Sequence, residues 1–223
     1  MNDDVNLICE IPQGHSYSPR YLINLYKKID DITEFFNTKN KNKQIEVELE
    51  WIKKTYFYKQ IIEAYHASFM CLAMNKYHNI KYNLILADAP DIIMINEDNC
   101  MPFEIYEAFE FWKEDERSIV NMEEQIAKLY QIKWQKNYSE GTRLLIINRI
   151  PSARNWFNVS KYTEEINKYK WWFCEIRLWT FNESDDLHSF FNVFPVNSQD
   201  KITKIDYSIS KDKKFFGSID RFV

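Results

Sequence analysis

The spacing of apolar residues changes repeatedly along the chain, and each change marks a change of element. Ser18-Pro19 offers a helix cap followed by a first-turn proline. Leu22, Leu25, Tyr26, Ile29, Ile32, Phe35 and Phe36 then recur at the three-and-four spacing of one helical face. Thr38 to Lys43, rich in Asn and Lys, reads as a solvated loop. Helical spacing resumes over about Glu46 to Asn75, where Ile52, Tyr56, Ile62, Phe69 and Leu72 form the stripe and no proline intervenes.

Beyond Tyr77-His78-Asn79 the period shortens to that of strands. Leu84-Ile85-Leu86 is a brief apolar run. Pro90 opens Asp91-Ile92-Ile93-Met94-Ile95, a β-branched stretch of the kind buried on both faces, with the proline at the head of the strand where its missing N–H does least harm. Asn96-Glu97-Asp98-Asn99 has turn chemistry, and Phe103 to Phe109 returns as a second strand, antiparallel by hairpin logic. Ser118 to Trp134 is predicted helical, with Ile119, Met122, Ile126, Leu129 and Tyr130 inward. Leu144 to Ile147 is a strand, and Ser160 caps a short polar helix ending near Tyr169. Phe173 to Thr180 and Phe190 to Phe194 are two more strands. Ile205, Tyr207 and Ile209 alternate with polar residues as an edge strand would, and Lys211 to Lys214 with the residues after them form a tail.

This order predicts an α/β fold, a mixed β-sheet flanked by helices. The expected organisation is one domain over 1–223, with an N-terminal helical part at about 18–77, an α/β core at about 80–196, and a C-terminal strand and tail at 197–223.

Composition narrows the function classes. With 45% hydrophobic and 17% aromatic residues, 223 residues carry enough apolar surface for one sizeable core. Only 3 glycines are present, too few for a Gly-rich phosphate-cradling loop. A net charge of -4 gives no whole-protein basic field, so any nucleic acid must meet a local Lys/Arg patch. Cys9, Cys71, Cys100 and Cys174 are scattered without metal-ligand spacing, which favours reduced thiols over a zinc site. The acidic start Met1-Asn2-Asp3-Asp4 is not a secretory signal, and no stretch approaches the ~20 apolar residues of a membrane helix. A cytoplasmic location without a membrane partner is expected. Abundant Ile, Lys, Asn and Tyr suggest an AT-rich coding source, a composition common in viruses and mobile elements.

The candidate chemistry lies in the hairpin. Asp91 heads one strand and Glu104 lies on the next, where alternation puts Glu104 and Tyr106 on one face and Phe103, Ile105 and Glu107 on the other. If Asp91 faces the same side, two carboxylates converge as hard oxygen ligands for Mg²⁺. Pro90-Asp91, a turn, and Glu104-Ile105-Tyr106 resemble the signature of the PD-(D/E)xK, or restriction-endonuclease-like, nuclease superfamily. The surrounding elements are similar to that family's α-β-β-β-α-β core over about Glu46 to Trp179. The resemblance implies a restriction-endonuclease-like core with N-terminal helices, and a Mg- or Mn-dependent nuclease acting on DNA. It makes Asp91 and Glu104 the metal ligands and Glu63, on the preceding helix, a third catalytic acid, with Glu50 the weaker choice. A homodimer would be needed to cut both strands of a palindrome from one site per chain.

Tyr106 stands where the family has its Lys, and a phenol supplies no ammonium. Lys113, Lys128 or Lys133 would have to substitute; otherwise the chain is an inactive nuclease-fold module that binds nucleic acid or a protein partner. Blander roles stand beside each residue. Asp91 caps a strand start, Glu104 forms a salt bridge to Arg143, Arg149 or Arg177, and Glu63 is an ordinary exposed helix acid. Tyr106 packs in the core with one polar end, His66 is a core histidine, and Glu107 and Glu110 form a solvated flank. Lys39, Lys41 and Lys43 are a solvated run. Trp171-Trp172-Phe173, after Lys168, Tyr169 and Lys170, is either a base-stacking surface or, more ordinarily, a strand entering the core.

Overall fold

The computed structural model describes residues 15–39, 56–88, 90–107, 122–136, 138–148, 158–182, 186–195 and 203–209. Among these are eight strands and four helices, with both parallel and antiparallel pairings, so the fold is mixed α/β. The chain divides into two compact units, Met1–Cys100 and Met101–Val223, a division that falls inside the stretch whose pattern predicts one α/β core.

The first unit holds β1 (Ser16–Tyr17), α1 (Pro19–Lys39), α2 (Tyr56–His78), β2 (Asn83–Leu86) and β3 (Ile92–Ile95). Ser18 caps α1 as its sequence predicts, its Oγ accepting the Tyr21 N–H at 3.3 Å. The helix runs through Thr38 and Lys39, which the Asn/Lys pattern assigns to a loop. The two helices pack through Leu25, Ile29 and Ile61, and Tyr26 stacks on Tyr65 at 4.1 Å. Asn79 stops α2 in the left-handed region, at φ 55°, which asparagine tolerates better than most residues. Asn75 then grips Tyr82, accepting its N–H at 2.8 Å and donating to its carbonyl at 3.3 Å, which delivers the chain into β2.

β2 pairs antiparallel with both β1 and β3, in a register that sets Leu84 against Met94 and Leu86 against Ile92. Those four side chains are buried, whereas Ile93 and Ile95 are only half-buried, so β3 is deep on one face rather than on both. After β3, Asn96 Oδ1 accepts the N–H groups of Asp98 and Asn99 at 3.0 and 2.6 Å, an Asx turn of the kind its residues predict.

The second unit holds β4 (Cys100–Glu107) from its second residue on, α3 (Met122–Trp134), β5 (Arg143–Asn148), α4 (Val159–Asn167), β6 (Glu175–Asn182), β7 (Leu187–Phe194) and β8 (Lys204–Ser208). β4, β5 and β6 run parallel in that order, joined by the crossovers that carry α3 and α4. β7 and β8 then add antiparallel strands. Leu144 pairs with Ile176 and Ile146 with Leu178, and these four meet Ile126 and Leu129 of α3 and Tyr162 and Ile166 of α4 in one core. Both helices therefore cover the same sheet face. Leu145 and Ile147 are buried on the other, which accounts for the unbroken apolar run of β5.

Two local expectations are corrected. The cap of α4 is Asn158, not Ser160: Asn158 Oδ1 accepts the N–H groups of Ser160 and Lys161 at 2.9 and 3.2 Å, and Ser160 already lies in the first turn. Asn158→Ala is expected to cost about 1 kcal/mol in urea unfolding and Ser160→Ala far less; the opposite ranking would reject this assignment. Trp171-Trp172-Phe173 precedes the strand rather than starting it, because β6 opens at Glu175. Trp171 and Phe173 turn inward while Trp172 stays exposed. The expected helical residues 46–55 and 118–121, strand residues 108–109 and the tail beyond 210 lie outside the described residues.

Candidate active site

On β4, the register with β5 settles which side chains face the helices. Glu104 pairs with Leu144 and Tyr106 with Ile146, and both partners belong to the core under α3 and α4. Glu104 and Tyr106 therefore share the helix-covered face, as alternation predicts. Glu104 is 4% exposed.

The stripe of α3 that faces this surface runs Ile126, Leu129, Lys133, so a lysine occupies what would otherwise be a core position. Its Nζ stands 2.9 Å from Glu104 Oε2, with the two side chains 6% and 5% exposed. The Tyr138 ring lies 5.9 Å from the same ammonium and adds a weaker cation–π attraction. Lys133 also sits in the last turn of α3, where the helix dipole favours a cation. Taking two charges out of water is costly, and their attraction offsets that cost only when the geometry is good, as it is here.

Of the three arginines that the sequence offers as partners for Glu104, the two among the described residues are engaged elsewhere. Arg143 and Arg177 both bind Glu175, at 3.1 and 2.5 Å, and the β4–β5 register puts Arg143 opposite Phe103, on the other face from Glu104. The ion-pair partner of Glu104 is thus a lysine rather than an arginine. No family model, curated protein or solved structure matches this chain.

Tyr106, in the position of the signature lysine, packs half-buried against the same core as Tyr162. Burial pushes the Tyr162 phenol well above its ordinary range, and the nearby Tyr106 adds to the rise. Of the three lysines that could replace the missing ammonium, Lys133 is the one at Glu104. Lys128 is exposed on α3, and Lys113 lies outside the described residues.

In the first unit, Asp91 directly precedes β3 and is half-buried, and its backbone carbonyl accepts the Ala87 N–H at 3.0 Å. Glu63 on α2 is buried rather than exposed, with Lys59 one turn away at 3.1 Å. Gln60 lies on the same helical face as Glu63, three residues earlier, and donates to the Ala87 carbonyl at 3.4 Å. That bond ties the Glu63 face of α2 to the loop carrying Asp91. Asp91 and Glu63 belong to one compact unit and Glu104 to the other.

No group of three or more His, Cys, Asp or Glu side chains suited to a metal ion forms among the described residues. The donor chemistry of Glu104 still fits a hard cation, since Lys133 engages Oε2 and Oε1 has no further hydrogen bond among the described residues. His66 is buried with its ring edge-on to Tyr65, at 5.2 Å, as a core histidine would be. Glu50, Glu110, Arg149, Lys41 and Lys43 lie outside the described residues. No helix among the described residues is long and apolar enough to cross a membrane.

What the sequence does not signal is the Tyr138 ring beside Lys133 and the pairing of Trp134 with Trp172. Both depend on loops following elements, where no periodicity fixes the direction of a side chain. Lys133 itself has a legible signal: it falls seven residues after Ile126 on an apolar stripe.

Proposed function

We propose that this chain is a divalent-metal-dependent nuclease acting on DNA phosphodiester bonds, of the PD-(D/E)xK kind, in which Lys133 supplies the ammonium that Tyr106 cannot. The observation that carries the proposal is the buried contact of Lys133 Nζ with Glu104 Oε2 at 2.9 Å. A carboxylate and a lysine are the two chemical groups that the second half of the signature requires. Here the lysine comes from the following helix instead of the same strand. The element order α2-β2-β3-β4-α3-β5, a helix, three strands, a helix and a strand, adds support, as does the parallel pairing of β4 with β5.

In this reading Asp91 and Glu104 provide the carboxylate oxygens that hold Mg²⁺ or Mn²⁺, and Glu63 is the assisting acid. Divalent metal, when bound, supplies activation of water and neutralisation of the charge that develops on the scissile phosphate. Lys133, with its Nζ against Glu104 Oε2, is the residue that would stabilise negative charge at a bound phosphate and help to orient the attacking water. The buried setting strengthens that interaction, because little water is present to screen it.

The test is cleavage of plasmid and oligonucleotide DNA with Mg²⁺ or Mn²⁺ against EDTA. Asp91→Ala and Glu104→Gln are expected to abolish cleavage, and Lys133→Met to lower its rate by roughly 10²–10³, the scale for removing one charge-stabilising group. Equal activity in wild type and Asp91→Ala rejects the proposal. A second reading, an inactive nuclease-fold module that binds nucleic acid or protein, is favoured by the Lys133 ammonium that already occupies Glu104 Oε2. Metal-dependent cleavage lost in Asp91→Ala dismisses it.

A further inference from the structure

Trp134 closes α3, and Trp172 lies in the segment between α4 and β6; they are 42% and 58% exposed. Their rings stack at 5.1 Å with an interplanar angle of 29°. One turn back on α3, Tyr130 approaches Trp134 at 5.2 Å and 32°. Tyr130 and Trp172 share no ring contact with each other, so Trp134 is the middle ring of a column and Trp172 its outer end. Among the described residues Trp172 touches no other ring. The inner end is anchored, since Tyr130 also meets Tyr169 at 4.7 Å and the buried Trp171 at 5.2 Å.

We propose that Trp172, backed by Trp134, is a stacking platform for an unpaired base of single-stranded DNA. Every nucleobase presents a π-face, and an exposed aromatic ring of fixed orientation accepts it at little entropic cost. Lysines lie close in sequence to both indoles. Lys136 follows Trp134 by two residues and Lys170 precedes Trp172 by two. Both are exposed, with no ion-pair partner among the described residues, whereas the Lys168 ammonium is taken up by Glu165. Exposed lysines within two residues of stacked rings match a strand whose phosphates alternate with bases. Lysine is depleted from the centres of protein–protein interfaces, which counts against a protein partner on the same patch. Bases inside a duplex are already stacked, so the platform selects unpaired strands. In naming the form of the DNA the inference rests on the nuclease reading, but the binding it describes requires neither metal nor cleavage.

The experiment is fluorescence anisotropy of fluorescein-labelled oligodeoxythymidine with the full chain in EDTA, at two salt concentrations. Wild type is expected to bind the single strand at least ten-fold more tightly than a duplex of equal length. Trp172→Ala should weaken binding by about ten-fold, on the scale of one lost base–aromatic contact, while Trp172→Phe retains most of it. The double variant Lys136→Ala/Lys170→Ala should flatten the salt dependence. Equal affinity in wild type and Trp172→Ala overturns the proposal, as does equal affinity for duplex. Self-association by sedimentation that Trp172→Ala removes, without oligonucleotide binding, overturns it in favour of a protein contact. Binding lost with metal-dependent cleavage intact removes the platform alone, and binding intact without cleavage removes the nuclease reading alone.

Discussion

Lys133→Met is expected to lower the free energy of unfolding by about 3–5 kcal/mol, the range for breaking a buried ion pair from one side. The physical reason lies in what remains. Methionine fills much of the space of the lysine stem, so little packing is lost on the α3 stripe beside Leu129. Glu104, however, stays 4% exposed with no cation at its Oε2. Urea unfolding followed by circular dichroism measures the difference as a fall in midpoint at unchanged slope. The double variant Glu104→Leu/Lys133→Met removes both charges and is expected to recover most of the loss, because an apolar pair of similar volume needs no compensation. Recovery of stability without cleavage would separate the structural role of the pair from its chemical one. A loss below about 1 kcal/mol in the single variant would place the pair in water and reject its burial.

Trp171→Ala should cost about 3–5 kcal/mol, whereas Trp172→Ala should stay within about 0.5 kcal/mol. The two residues are adjacent, yet Trp171 is 8% exposed and Trp172 58%. Trp171 lies in the core formed with Ile166 and Phe173, and its Nε1 donates to the Ile166 carbonyl at 2.8 Å. Truncation leaves a cavity of indole size and removes one hydrogen bond to that carbonyl, which keeps the Tyr169 N–H at 3.2 Å. Thermal unfolding of both variants is the measurement. Similar losses for the two would contradict the opposite orientations on which the exposed ring column depends.

The fold was legible where periodicity was strong. The spacing of Ile126 and Leu129, the run Leu144 to Ile147 and the alternation of Tyr207 each announced an element that the structure contains, because burial of one face leaves its period in the sequence. The two-residue β1 was not legible, since Ser16-Tyr17 is too short to show a period. The cap of α4 was misplaced because Asn158 and Ser160 are both good capping residues, and only the backbone decides which one stands outside the first turn.

Within the candidate site, the helix-covered face of Glu104 and Tyr106 followed from alternation. The identity of its partner did not. Glu104 and Lys133 are 29 residues apart, and bringing them together depends on how α3 lies over the sheet, which local pattern does not encode. The buried state of Glu63 was hidden for a related reason, since a helical stripe of mixed polarity does not reveal which acid faces inward. For Trp171-Trp172-Phe173 the residue types leave a stacking surface and a buried strand both open; a two-residue alternation outside any strand turns Trp172 outward and its neighbours inward.

β8 has one further consequence. Among the described residues it pairs only with β7, and no described strand adjoins its other side. A bare strand edge invites a second molecule to add on, and repetition of that event ends in insoluble polymer. Lys204 and Asp206, two residues apart on one face of β8, form an ion pair at 2.9 Å, and Asp206 also accepts the Ser189 hydroxyl of β7. An incoming strand must strip water from both half-exposed charges as it docks, so these two polar side chains raise the cost of adding a strand there.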